Sequence, residues 1–201
     1  MLTLILGGAR SGKSRHAQFL AEQSGLAVTV IATGQPRDAE MAARIGRHQA
    51  ERPVHWQTVE QPLHLAAALE SAAAPGRCIL VDCLTLWLLN LLEAGEAVFA
   101  RERAALLVLL PRLPGELLLV ANEVGLGIIP LGELTRRYVD EAGWLNQDLA
   151  RLADAVTFVA AGLPLALKSS RKGTPCPTGG NTPPNPSTNP PVLAPDCART
   201  A

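Results

Sequence analysis

Short apolar runs rich in β-branched residues alternate along the chain with stretches in which apolar residues recur every three to four positions. The runs predict strands near residues 2–6, 27–33, 54–59, 78–81, 117–121 and 155–160. The helical period between them predicts helices near residues 13–23, 38–52, 63–73, 84–93, 96–112 and 134–154. In the first helix Ala17, Leu20 and Ala21 share one side, and Gly25 stops it. Such alternation predicts an α/β fold, a mostly parallel sheet with helices on both faces. Ligands of these sheets bind beyond the carboxyl ends of the strands, so polar residues at strand ends are the first candidates for chemistry.

The pattern breaks after Lys168. From Ser169 onward Pro, Thr, Asn, Ser and Gly dominate, and residues 182–186 read T-P-P-N-P. Such a segment buries too little apolar surface to offset its ordering entropy, so a disordered tail over residues 169–201 is expected after a domain over residues 1–168. A proline-rich docking tail is the alternative, without a sharp recognition motif to support it. No internal repeat is visible.

Composition narrows the function classes. A chain of 201 residues suits one catalytic domain with an appendage. Lys plus Arg equals Asp plus Glu, at 18 each, so nothing draws the whole molecule to nucleic acid or an anionic membrane. Aromatic residues make up only 3%, too few for the stacking platforms of single-stranded nucleic-acid binders. The apolar stretches 84–92 and 104–110 are too short to cross a bilayer and are separated by Glu93, Glu96, Arg101, Glu102 and Arg103, which predicts core helices. A strand starting at Leu2 leaves no room for a basic segment with a cleavage site, so a cytoplasmic setting is expected. Cys78 and Cys83 flank residues 79–81, Cys176 and Cys197 lie in the tail, and no pair has C-x-x-C spacing. This argues against structural zinc or a redox dithiol and for buried thiols at Cys78 and Cys83.

The sharpest motif follows the first strand. Residues 7–14 read G-G-A-R-S-G-K-S, a complete G-x-x-x-x-G-K-[ST] phosphate loop between a strand and a helix. Gly7, Gly8 and Gly12 let the backbone approach an oxyanion, with Ala9, Arg10 and Ser11 completing the turn, and the helix start adds partial positive charge. Lys13 reaches the outer phosphates of a nucleoside triphosphate, and the Ser14 hydroxyl is a ligand for the accompanying Mg²⁺.

Other strand ends carry acids. Asp82 closes residues 78–81, where a carboxylate can hold Mg²⁺ beside the loop; it can also cap the next helix, and the two roles can coexist. Glu123 is a second strand-end acid, followed by V-G-L-G, the composition of a mobile loop. Arg44, His48 and Arg52 fall at i, i+4 and i+8 on the helix expected over residues 38–52, with Met41 and Ile45 on the adjoining apolar face. Guanidiniums there attract phosphate and leave a ring-nitrogen lone pair of His48 available as a nucleophile, although a lone helical histidine also suits a surface or capping role. His16, His55 and His64 lack such a setting and read as structural or exposed. Residues 140–143 match D-x-x-G by letter, but inside a helical pattern and without an N-K-x-D partner, which argues against a regulatory GTPase.

Together these residues resemble the bifunctional adenosylcobinamide kinase/adenosylcobinamide-phosphate guanylyltransferase family. The likeness runs from the loop through I-A-T at residues 31–33, Glu40, Met41, Arg44, Ile45, His48, Arg52, Pro53, Trp56, Thr58 and Glu60. It continues through N-E-V-G at residues 122–125, Gly127, Pro130, Gly143, Asn146, Gln147, G-L-P at residues 162–164 and Lys168, spanning about residues 1–168. The resemblance implies a P-loop, RecA-like enzyme of cobalamin assembly, with ATP or GTP phosphorylating adenosylcobinamide and GTP then donating GMP to the adenosylcobinamide phosphate through a guanylylated histidine. The matching histidine is His48, and the implied nucleotide contacts are residues 7–14, Thr33, Gly34, Gln35, Gln49, Ala50, Glu51, Arg52, Glu60 and Asp82. It also implies a homotrimer. A P-loop kinase without nucleotidyl transfer and a non-enzymatic nucleotide-binding regulator are the rival readings, and the general base of the kinase step is left unassigned.

Overall fold

The computed structural model describes residues 1–169, the side chain of Arg44 excepted. Beyond Ser169 the expected tail, with Cys176 and Cys197, lies outside the described residues. In chain order the elements are β1 (Leu2–Gly7), α1 (Lys13–Gln23), β2 (Ala27–Ala32), α2 (Ala39–Ala50), β3 (Gln57–Glu60), α3 (Leu65–Ala72), β4 (Arg77–Asp82), α4 (Leu84–Ala94), α5 (Glu96–Leu109), β5 (Glu116–Asn122), α6 (Glu133–Leu152), β6 (Ala155–Ala160) and β7 (Leu163–Lys168). The strands form one sheet in the order β3-β2-β4-β5-β1-β6-β7. All neighbours are parallel except β7, which runs antiparallel to β6.

The period-two geometry of a strand divides the core. Leu2, Leu4 and Leu6 of β1, Ile79 and Val81 of β4, and Leu117, Leu119 and Ala121 of β5 face one layer with residues of α3, α4, α5 and α6. Ile5, Cys78, Leu80, Leu118 and Val120 face the other, with Ala17 and Ala21 of α1 and with Trp56. Because both faces are covered, the central strands read as unbroken apolar runs instead of alternating ones. Helix α4 is buried on most sides, from Leu84 and Trp87 to Leu91. Its Asn90 amide donates to the carbonyls of Thr33 (2.8 Å) and Pro62 (3.0 Å), tying down the loops that follow β2 and β3.

Several boundaries differ from the sequence reading for identifiable reasons. Helix α5 stops at Leu109 and gives way to a 3₁₀ turn over Leu110–Arg112, because Pro111 has no N–H to continue the ladder. Helix α2 ends at Ala50, short of Pro53. The strand expected from residue 54 begins only at Gln57: Trp56 turns back on Pro53 through a 3.0 Å backbone bond and buries its ring, while Val54 stands free of the core. Strand β7 had no counterpart in the reading, since every one of its residues is exposed and Pro164 interrupts it, as an edge strand allows. The readings that hold include buried Cys78 and Cys83, and Asp140 and Gly143 inside α6. No described helix is long and apolar enough to cross a membrane.

Two stability predictions follow from this packing. Gly115 has φ +85° before β5, and a methyl group there would meet the carbonyl oxygens of Arg77 at 2.6 Å and Ala74 at 2.7 Å. Gly115→Ala is expected to lower unfolding free energy by about 2 kcal/mol in urea titration. Burial pushes the fully buried Cys78 thiol from 9.0 up to about 11. Its contribution is complete below pH 9 and lost as pH rises toward 11, because the unfolded chain releases the proton first. Urea titrations across that window should show stability falling by roughly 1.4 kcal/mol per pH unit from this group. Cys78→Val should flatten that part of the slope.

Candidate active site

The carboxyl ends of β1, β4, β5 and β2 open on one cleft. Lys13 and Ser14 from the start of α1, Gly34 after β2, His48 and Gln49 of α2, Arg52, Glu60 at the end of β3 and Asp82 at the end of β4 all line it. Met41, Ile45 and Leu86 provide apolar wall.

The phosphate loop takes its shape from backbone requirements. Gly12 precedes α1 with φ +95°, and no side chain caps the helix, so its first N–H groups face outward unpaired by the helix itself. A methyl group on Gly7 would lie 2.4 Å from the Val159 carbonyl oxygen. The loop also rests on the β6–β7 turn, where the Gly162 N–H donates to the Ser11 carbonyl at 2.8 Å. Lys13 is buried and its Nζ donates to the Gly8 carbonyl at 3.1 Å, holding the ammonium across the loop. Ala9 and Arg10 form the exposed crest next to half-buried Gly8, and Arg10 has φ +56°.

Asp82 is the last residue of β4, and Cys83 occupies the cap position of α4 without a side-chain cap bond. The capping role considered for Asp82 is therefore not used, and its carboxylate is left to the cleft. His48 Nδ1 and Arg52 Nη2 each lie 4.0 Å from Asp82 Oδ2. The Arg52 side chain is only 8% exposed. Burial lowers its pKa, and the charges of Asp82 and then Glu60 oppose that shift. Glu60 also accepts from Gln49 Nε2 at 3.3 Å. Arg52 lies beyond the end of α2, so it reaches Asp82 from the turn before Pro53 and not as the third member of a helical stripe. The Arg44 side chain, the stripe's first member, lies outside the described residues.

Buried polar atoms without a partner within the protein are candidates for ligand contact. Among the described residues these are Ser11 Oγ, His48 Nδ1, Arg52 Nη1, Asn122 Oδ1 and Arg103 Nε. The first belongs to the phosphate loop, and the next three belong to residues that line the cleft. Three of the five therefore line one cleft, with the fourth in the loop beside it, and the cleft can accept an anion while offering a carboxylate to a cation.

Not every candidate residue forms the wall. Thr33 is fully buried; its Oγ1 donates to the Cys83 carbonyl (2.6 Å) and accepts from the Cys83 N–H (3.1 Å), so it acts through the backbone after Asp82. Gln35, Ala50 and Glu51 are exposed and do not line the cleft. Glu123 turns away to accept from the Gly125 N–H at 2.6 Å. His64 sits at the start of α3 with Nδ1 3.0 Å from Glu102, His55 is exposed and His16 is half-buried, none of them in the cleft. Asn122 and Leu86 line the cleft but carried no assigned role. The position of Asn122 at the end of a strand was the available signal.

Comparison with known proteins identifies relatives of the chain. The family model described as "Cobinamide kinase / cobinamide phosphate guanyltransferase" matches residues 3–167. The chain is 61% identical over 169 residues to the "Bifunctional adenosylcobalamin biosynthesis protein CobP" of Pseudomonas aeruginosa, covering 84% of this chain and 98% of that one. It is 43% identical over 182 residues to the "Bifunctional adenosylcobalamin biosynthesis protein CobU" of Salmonella typhimurium, covering 84% of this chain and all of the relative. The protein of the same name from Escherichia coli K12 is 40% identical over the same span. A phosphate loop, a strand-end carboxylate and an unpartnered imidazole in one cleft thus occur in a chain that belongs to the cobinamide kinase/cobinamide phosphate guanyltransferase family.

Proposed function

We propose that this cleft seats one nucleotide for two successive transfers. In the first, the hydroxyl of adenosylcobinamide attacks the terminal phosphorus of ATP or GTP, and the nucleoside diphosphate leaves. In the second, a ring nitrogen of His48 attacks the α-phosphorus of GTP: an N–P bond forms, the bond to the β-phosphate oxygen breaks, and pyrophosphate departs. A phosphate oxygen of adenosylcobinamide phosphate then displaces the imidazole, giving adenosylcobinamide-GDP and restoring His48. The observation carrying this reading is the unpartnered His48 Nδ1, buried in the same cleft as Lys13 and Ser14 and 4.0 Å from Asp82.

Phosphoryl and nucleotidyl transfer depend on positioning and charge stabilisation more than on acid–base groups. The backbone N–H groups around residues 7–14 hold the phosphates, Lys13 bears on the outer ones, and Arg52 supplies positive charge toward the α-phosphate side. Gln49 and Glu60 stand further along the same wall, where they can meet the rest of the nucleotide. Gly34 leaves room for it: a methyl group there would meet Leu86 at 3.2 Å and Ile45 at 3.5 Å. The contacts implied for Gln35, Ala50 and Glu51 require their exposed segments to close over the ligand. Ser14 and Asp82 fit Mg²⁺, since both offer hard oxygen ligands to the cleft and nucleotide phosphates with water can complete six-fold coordination. Bound there, the ion would neutralise phosphate charge.

A homotrimer is the proposed assembly. Leu163, Leu165 and Leu167 on the exposed edge strand β7, with Leu126, Ile128, Ile129 and Leu131 in the loop before α6, provide apolar surface that supports association. A cytoplasmic setting is proposed as well.

Incubation with GTP labelled at the α-phosphate tests the reading. The protein should acquire an acid-labile label that adenosylcobinamide phosphate removes. His48→Ala should reduce that label and the guanylyltransferase rate to below about 1% of wild type while phosphorylation of adenosylcobinamide stays measurable. A folded His48→Ala protein lacking both activities would contradict separate roles, and an unlabelled wild type would leave a simple kinase.

A further inference from the structure

Helix α2 carries His48, yet core packing does not fix where the helix lies. No described side chain of α2 is buried, and Met41, Ile45 and His48 are only half-buried. A helix with so little buried apolar contact opens and tilts readily unless its ends are tied. The far end is tied by Arg52, which reaches Asp82 from the turn beyond Ala50. The entry is tied from α4. Arg37 directly precedes the cap residue Asp38, whose side chain accepts from the Met41 N–H at 2.7 Å. The Arg37 guanidinium donates through Nη2 to Asn90 Oδ1 at 2.6 Å and pairs through Nη1 with Glu93, one turn further along the same face of α4. Asn90 is itself buried, and its Nδ2 donates to the Thr33 and Pro62 carbonyls. One side chain therefore holds both ends of the loop that leads from β2 into α2. An exposed Arg–Glu pair alone contributes little, but the bond to Asn90 ends on a buried amide oxygen that is costly to leave unpaired.

We propose that the Arg37–Asn90 contact positions His48 for attack on the α-phosphorus, an assignment that rests on His48 being the guanylyl carrier. Neither residue lines the cleft; both act through the helix. His48 stands about 15 Å along the axis from Asp38, at roughly 1.5 Å per residue. An entry freed to tilt by about 10° would shift the imidazole by roughly 2.6 Å over that length. Attack requires the reacting atoms within about 3.5 Å, and a misplacement of about 1 Å costs on the order of 100-fold, so a small tilt suppresses transfer. A carboxamide suits position 90 because it accepts from a guanidinium while donating twice to carbonyls. The kinase step has no such lever. Lys13 and Ser14 arrive on α1 directly from β1, and the bonds of Arg37 and Asn90 hold no part of that segment.

The test compares the two activities on the full chain at saturating nucleotide: single-turnover labelling by GTP labelled at the α-phosphate, and phosphorylation of adenosylcobinamide. Arg37→Ala removes an exposed side chain and should slow labelling by roughly 10- to 100-fold, with kcat for phosphorylation within about twofold of wild type. Arg37→Lys keeps a cation able to donate to Asn90 or Glu93 and should recover most of the labelling rate. Asn90→Ala should show the same split between activities. Adding Arg37→Ala to it should slow labelling less than about threefold further, because both changes remove one contact. Arg37→Ala protein labelled within about twofold of the wild-type rate, or losing both activities in parallel, overturns the assignment. Wild-type protein that acquires no label overturns instead the role of His48 on which the assignment rests.

Discussion

The carboxylate of Asp82 at the end of a central strand is the charge around which the cleft is organised. It is largely withdrawn from water, with 17% of its side chain exposed, and Arg52 beside it is more withdrawn still. A buried guanidinium is tolerable only opposite a negative group, so Asp82 allows the turn after α2 to fold inward. That turn carries α2 with it and sets His48 at 4.0 Å from the same oxygen. The imidazole thus stands over the sheet edge because an ion pair draws in its neighbour.

The phosphate loop depends on a different constraint, close backbone packing. Gly7 stands against the Val159 carbonyl of β6 and Gly12 against Gly162, so the loop is packed on β6 and the β6–β7 turn. Strand β7 carries no core side chain, yet the turn that launches it supports the loop through the bond from the Gly162 N–H to Ser11. An element that contributes little to burial is therefore kept by its service to the site.

Between these two parts runs a polar relay inside the apolar layer. Asn90 of α4 holds the loops after β2 and β3, and its Oδ1 accepts from Arg37 Nη2 at 2.6 Å, with Arg37 also paired to Glu93. Thr33 then grips both backbone groups of Cys83 and steadies the chain that follows Asp82. Buried polar groups satisfied in this way position loops more strictly than apolar contact alone, since a displaced amide or hydroxyl loses its partner in a place water does not reach.

Much of this was legible in the chain. Doubly covered strands betray themselves as continuous apolar runs, and the phosphate loop is readable because its chemistry is local: the glycines, Lys13 and Ser14 all fall within residues 7–14. Strand-end position was enough to single out Asp82. Local pattern could not announce β7, whose exposed residues obey no burial period, nor the late start of β3, decided by where the Trp56 ring found space. It also left Asn122 without a role, because an asparagine after an apolar run looks like a turn residue until its neighbours are known. The sequence by itself determined the order of elements and the phosphate-binding chemistry, which depend on residues a few positions apart. Only the tertiary structure decided that His48, Arg52, Asp82 and Asn122 share one cleft, because lateral strand order brings together charges and unpaired polar atoms that lie far apart along the chain.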